Sequence, residues 1–229
     1  MANSSKLRFT FLCKIDPVQK HVRRYLLMIL FAFMLIPLHA QKKGYTQGYI
    51  INPAGETVEG WVKDRSSGPF LDLYVRIRFK PENALFRKKY GPDEILGYGS
   101  NDQIYESLPL REEMSFLKLR YLLHESNNRV FLKVISGNEQ LTYYHWEYID
   151  DDSNYLDYIP LFYRKGADEM VRVTQGILGL KRNRLISYFQ DCPELVYAIE
   201  QKALNEIYEV YNFYLSRCAD LKNITYAKQ

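Results

Sequence analysis

Leu73-Tyr-Val-Arg-Ile-Arg-Phe-Lys80 is the stretch on which the fold reading turns. Its odd positions, Leu73, Val75, Ile77 and Phe79, are apolar, and its even positions are Tyr74, Arg76, Arg78 and Lys80. That period of two predicts a strand with one buried and one wet face, the pattern of an antiparallel sheet. Working outward, the same alternation recurs in short segments from Gly44 to about Thr174, with turn residues every ~8 to 12 positions. Upstream, residues 45–51 and 56–63 flank Asn52-Pro53-Ala54-Gly55, in which Pro53 presets φ and Gly55 closes a hairpin turn. Downstream, strands are expected at 95–98, 103–107, 116–123, 129–135, 140–149, 157–163 and 170–173. Asn127-Asn128, Ser136-Gly137-Asn138 and Lys165-Gly166 supply turn chemistry between them.

Many short strands without intervening helices exclude the parallel sheet of a nucleotide-binding fold and leave a sandwich or a closed barrel. After Gly176 the spacing turns helical. Leu178, Leu185 and Phe189 outline a short helix that must stop before Pro193. Asp191-Cys-Pro-Glu194 then has the spacing of a capping box. Leu195, Ile199, Ala203, Ile207, Val210, Tyr211, Tyr214 and Cys218 continue one apolar stripe with no Gly or Pro in it. The expected fold is therefore α+β: an antiparallel β-sandwich or barrel-like module over 41–174, with a helical region over 175–229 packed on it.

The first 40 residues read differently. Lys6, Arg8, Lys14, Lys20, Arg23 and Arg24 face the single acid Asp16, and the uncharged run LLMILFAFMLIPL, 26–38, follows. At ~1.5 Å per residue that run reaches only ~20 Å, short of the ~30 Å hydrocarbon core. Basic region, apolar run and the small Ala40 before Gln41 predict a secretory signal peptide over 1–40, with no transmembrane segment left after processing. Removing its six basic and one acidic residues from totals of 31 and 27 leaves 25 and 26, so the mature chain carries about −1. Without a net positive field, nucleic acid is not an expected partner. The expected location is the periplasm or the cell surface.

Gly48-Tyr-Ile-Ile-Asn-Pro-Ala-Gly-Glu-Thr-Val-Glu-Gly60, Phe131-Leu-Lys-Val134, Tyr143-Tyr-His145, Met170-Val-Arg-Val-Thr174 and Asp191-Cys-Pro193 resemble motifs of uncharacterised secreted proteins of Bacteroidetes. Their mature chains open with a similar GYI…G-[DE]-T…G hairpin. The resemblance would span nearly the whole mature chain and implies export and fold. It assigns no activity, and it supplies no functional residues.

Catalytic signatures are missing. No Gly-x-Ser-x-Gly, His-Glu-x-x-His or glycine-rich phosphate loop occurs, and His124 and His145 lack a second ligand at metal spacing, so neither cofactor nor metal is expected. Asp150, Asp152 and Asn154 match the first spacings of a calcium loop, but Tyr155 stands at its glycine position and Leu161 at its bidentate acid. An exposed acidic turn explains them better. Cys192 beside His145 as a nucleophile is outweighed by Cys192 as a small buried residue.

Among 20 tyrosines, Tyr144, Trp146 and Tyr148 fall on one face of the 140–149 strand, an aromatic ladder. Exposed, it is a stacking platform for a glycan or an envelope protein; buried, it is core, the reading that strand propensity favours. The leading function is a non-catalytic binding or interaction module of the cell envelope. The alternative is an envelope glycan hydrolase with a carboxylate pair drawn from Glu147, Asp150–Asp152 and Asp157. Finally, an unbroken helix from Cys192 would hold Cys218 ~39 Å away, and free thiols are expected. A bridge would need a reversal at 201–205.

Overall fold

The computed structural model describes residues 44–66, 72–115, 118–123 and 128–219. The leader with Cys13, His124 and the start of the strand at Phe116 lie outside them. The described residues form eleven strands and then three α-helices: β1 (Thr46–Ile51), β2 (Thr57–Arg65), β3 (Leu73–Pro81), β4 (Lys88–Tyr90), β5 (Gly97–Ser100), β6 (Gln103–Ser115), β7 (Lys118–Leu123), β8 (Arg129–Gly137), β9 (Leu141–Ile149), β10 (Leu156–Arg164), β11 (Glu169–Arg172), α1 (Arg182–Tyr188), α2 (Pro193–Glu200) and α3 (Ile207–Arg217). A 3₁₀ turn, Gly176–Leu178, links the two parts.

Every strand pairing is antiparallel, and the ring β6–β7–β11–β10–β9–β8 closes back on β6. Of the two expected architectures, the closed one is adopted, as a six-stranded barrel. The remaining strands continue outward from β6 in the order β5, β1, β2, β3, β4 and form an open wing. Strand β6 belongs to both regions. Residues 103–106 pair with β5 and 104–109 with β8, while 110–115 pair with β7. Pro109 sits where the partner changes, a place at which a missing N–H costs the ladder least.

Turn chemistry explains the local reversals. At the first hairpin, Asn52 Oδ1 accepts from the amides of Ala54 (3.0 Å) and Glu56 (2.9 Å), and Gly55 has φ +82°. Between β5 and β6, Asn101 (φ 52°) and Asp102 (φ 63°) form a two-residue left-handed turn, which matches the right-handed twist of the strands it joins.

Alternation sorts side chains into three cores. Leu110, Tyr121, Leu132, Tyr144, Leu161 and Met170 fill the barrel. On its outer surface Leu141, Tyr143, Phe162, Val171 and Val173 pack beneath helix residues such as Leu185, Phe189, Leu195, Ile199, Val210 and Tyr214. Ile50, Val62, Ile77, Phe79, Ile95, Tyr98 and Tyr105 make the wing's core. In β3, Ile77 and Phe79 are fully buried as alternation requires, but Val75 is 83% exposed. The pairing of β2 with β3 jumps from Lys63↔Arg78 to Arg65↔Leu73, and this bulge takes residue 75 out of the pattern.

The helical region departs further from expectation. Leu178 is exposed in the 3₁₀ turn, whereas Leu185 and Phe189 are buried. Cys192 occupies the N-cap of α2 without a side-chain capping bond, and the Asp191 carboxylate pairs with Arg164. The stripe from 195 to 218 is two helices. Helix α2 ends in a left-handed Lys202 (φ 56°), with Lys202 N donating to Ile199 O (3.1 Å) and Ala203 N to Ala198 O (3.0 Å). Arg182 on α1 holds the break, donating to the carbonyls of Ile199 (3.1 Å) and Leu204 (2.8 Å) and to Asn205 Oδ1 (3.0 Å). A reciprocal capping box between Glu206 and Glu209 then starts α3. The resulting hairpin sets Cys192 and Cys218 5.7 Å apart at Cα and joins them in a disulfide, so the expectation of one continuous helix and free thiols is overturned.

Candidate functional site

The site lies where the wing meets the barrel. The ladder of β8 with β9 stops at Lys133↔His145, and beyond it Phe131 and Glu147 flank a cleft of about 210 Å³. Val75, Tyr98, Tyr105, Phe131 and Trp146 give the cleft apolar and aromatic walls, and Asp64 and Glu147 bring carboxylates.

Between those acids sits a guanidinium. Arg65 Nε and Nη2 bond the two oxygens of Asp64 at 3.1 and 2.9 Å, and Nη2 also reaches Glu147 Oε2 at 3.2 Å and Tyr105 Oη at 2.8 Å. Lys133 Nζ approaches Glu147 Oε1 at 3.4 Å, and Tyr98 donates to Asp64 Oδ2 at 3.4 Å. The register shift between β2 and β3, whose extra residues lie on β3, falls at these residues. In a regular strand, consecutive residues point to opposite faces, yet here Asp64 and Arg65 both enter one cluster. Tyr98 and Tyr105 stack with centroids 4.5 Å apart, and Phe131 meets Tyr98 edge-on at 5.0 Å.

Electrostatics follow from burial. Desolvation opposes the charge of Arg65, but its hydrogen bond to Asp64 and attraction to Asp64, Tyr105 and Glu147 prevail and hold it more firmly protonated than usual. Burial, reinforced by the neighbouring carboxylates, raises both tyrosines well above their ordinary value and keeps them as neutral hydroxyl donors. On β9, His145 is pushed down to about 4 by burial and then by Lys133. Its ring lies flat on Tyr158 at 3.7 Å, and Nε2 is 2.7 Å from Tyr143 Oη.

The expected ladder is divided among three environments. Tyr144 is buried inside the barrel, its hydroxyl on Glu106. Trp146 is half-buried, edge-on to Tyr121 at 6.2 Å, and contributes to the cleft wall. Tyr148 is exposed, does not line the cleft, and donates to Asp157 at 2.9 Å. Of the acids considered as a pair, Glu147 enters the cleft. Asp150 accepts from Ser153 N at 3.1 Å in an exposed turn that also holds Asp151 and Asp152, and Asp157 is exposed. Among the described residues no group of three or more His, Cys, Asp or Glu is placed to hold a metal.

Sequence reasoning missed Asp64, Arg65, Tyr98 and Tyr105. One signal was available: in Val58, Gly60, Val62, Asp64, the carboxylate stands where the alternation of β2 demands an apolar residue, and a buried charge implies a partner. Its partners, at 105 and 147, are joined to it by topology. No protein-family model, curated protein or solved structure matches this chain.

Proposed function

We propose that the protein is an exported, non-catalytic binding module of the cell envelope whose cleft takes a neutral, hydroxyl-rich ligand such as a glycan. The position of Arg65 carries this reading. Asp64 and Glu147 bond one guanidinium nitrogen at 2.9 and 3.2 Å, so those oxygens are at most about 6 Å apart, short of the ~6.5 to 9.5 Å of an inverting glycosidase and compatible only with the ~5 Å of a retaining one. In a hydrolase the space between such acids belongs to the scissile bond and a proton donor. Here it holds a cation that engages both carboxylates, which suits recognition of hydroxyls better than general acid catalysis by either carboxyl. The aromatic walls supply faces on which a sugar ring stacks.

Export rests on the basic leader and its apolar run, on the resemblance to secreted Bacteroidetes proteins, and on the Cys192–Cys218 bridge, a feature of oxidising compartments. Among the described residues no helix is long and apolar enough to cross a membrane. Two measurements test the proposal. The protein isolated from its host begins at Gln41, and recovery beginning at Met1 from the cytoplasm refutes export. Titration with a β-1,4-linked N-acetylglucosamine tetramer, followed by Trp fluorescence, saturates with the parent. Val75→Trp, which fills the cleft from an exposed position, abolishes the response. Slow cleavage of the tetramer would favour the hydrolase instead.

A further inference from the structure

The wing carries a second surface. Lys63, Arg78 and Lys89 are in register across β2, β3 and β4 on the face opposite the wing's core. Arg78 and Lys89 stand directly opposite each other, and like charges so placed weaken a sheet. The β3–β4 loop lies next to Lys89 in the chain. Leu85 is 87% exposed and Phe86 83%, and both precede the exposed run Arg87-Lys88-Lys89. From Lys80 to Tyr90 four cations stand against the single acid Glu82. Two large apolar side chains at a hairpin tip, collared by cations, match the boundary of an anionic bilayer. The side chains enter the acyl region while the cations meet phosphates.

We propose that the β3–β4 hairpin docks this protein on the surface of an anionic phospholipid bilayer, tip inward and Arg78 with the run Arg87-Lys88-Lys89 on the headgroups. Arg78 lies over the ring of Tyr74, which lines the cleft, whereas Leu85, Phe86 and Lys89 do not line it, and either proposal stands without the other. The full chain with Cys13→Ser and Asn83→Cys, labelled at residue 83 with an environment-sensitive fluorophore, reports tip insertion directly, with the leader common to every arm. Vesicles containing phosphatidylglycerol are expected to shift the emission to the blue, and pure phosphatidylcholine vesicles to leave it unchanged. Arg78→Glu with Lys89→Glu weakens the response roughly tenfold or more. Leu85→Ser with Phe86→Ser removes the blue shift, and its exposed sites leave the melting temperature at the parent's value. No shift on anionic vesicles, an equal shift on phosphatidylcholine, or a full shift in the serine variant would overturn the proposal.

Discussion

The barrel and the wing are built from the same kind of strand and solve different problems. In the barrel, closure of β8 on β6 leaves no strand edge among the ring strands, and the interior is filled by Tyr121, Leu132, Leu161 and their neighbours. Helices cover part of its outside and are tied by a disulfide. The wing ends in the three-residue β4, sets Arg78 and Lys89 opposite each other on one face, and is bulged between β2 and β3. Closure gives stability at the expense of accessible backbone and side chains. An open sheet keeps those groups in reach, and both candidate binding features involve the wing.

The largest effect is expected inside the barrel. Leu132→Ala, at a fully buried position, should cost about 4 kcal/mol and lower the melting transition of the whole unit. Because β6 is shared, the wing should open with the barrel, and hydrogen exchange that showed the wing surviving while the barrel opened would break that coupling.

Next in size is the bridge. Replacing Cys192 and Cys218 with serine should cost about 3.5 kcal/mol, the loop-closure value for 26 residues of separation. Alkylation without reductant should find both cysteines blocked, and two reactive thiols in the folded monomer would restore the continuous helix.

Acid sensitivity should belong to the barrel. His145 is held near pKa 4, below its unfolded value of about 6.5, so the unfolded chain binds more protons between those pH values. The stability contributed by neutral His145 is complete above pH ~6.5 and is lost as pH falls toward 4, about 2 to 3 kcal/mol in all. His145→Gln should flatten the fall in melting temperature over that window, and an unchanged profile would place the acid response elsewhere.

Gly48→Ala tests the wing alone. A Cβ there would lie 2.0 Å from the carbonyl oxygen of Gly99 on β5, so β1 and β5 must separate, at about 1 to 3 kcal/mol. Faster exchange should be confined to β1–β4. The smallest effect is at Val75: Val75→Ser should change stability by less than about 0.5 kcal/mol, because the side chain is already in water.

The sequence by itself determined most of the strands, though not β4 or the half of β6 beyond Ser107, together with the first hairpin turn and the change to helix near residue 176, because period and Asn/Gly/Pro chemistry act over a few residues. The capping box expected over 191–194 forms instead between Glu206 and Glu209. Ile77 and Phe79 were legible as core from the period alone. Val75 was not, since a bulge depends on the partner strand. The break at 201–205 shows the same limit: its carbonyls are satisfied by Arg182, about twenty residues upstream, which no local pattern announces. Closure into a barrel rests on β6 meeting β8, and the site rests on Asp64 and Arg65 meeting Tyr105 and Glu147. Sequence could name some of these groups, Glu147 and Trp146 among them. Only the tertiary structure decided which of them touch, because contacts between distant strands depend on register, twist and closure acting together.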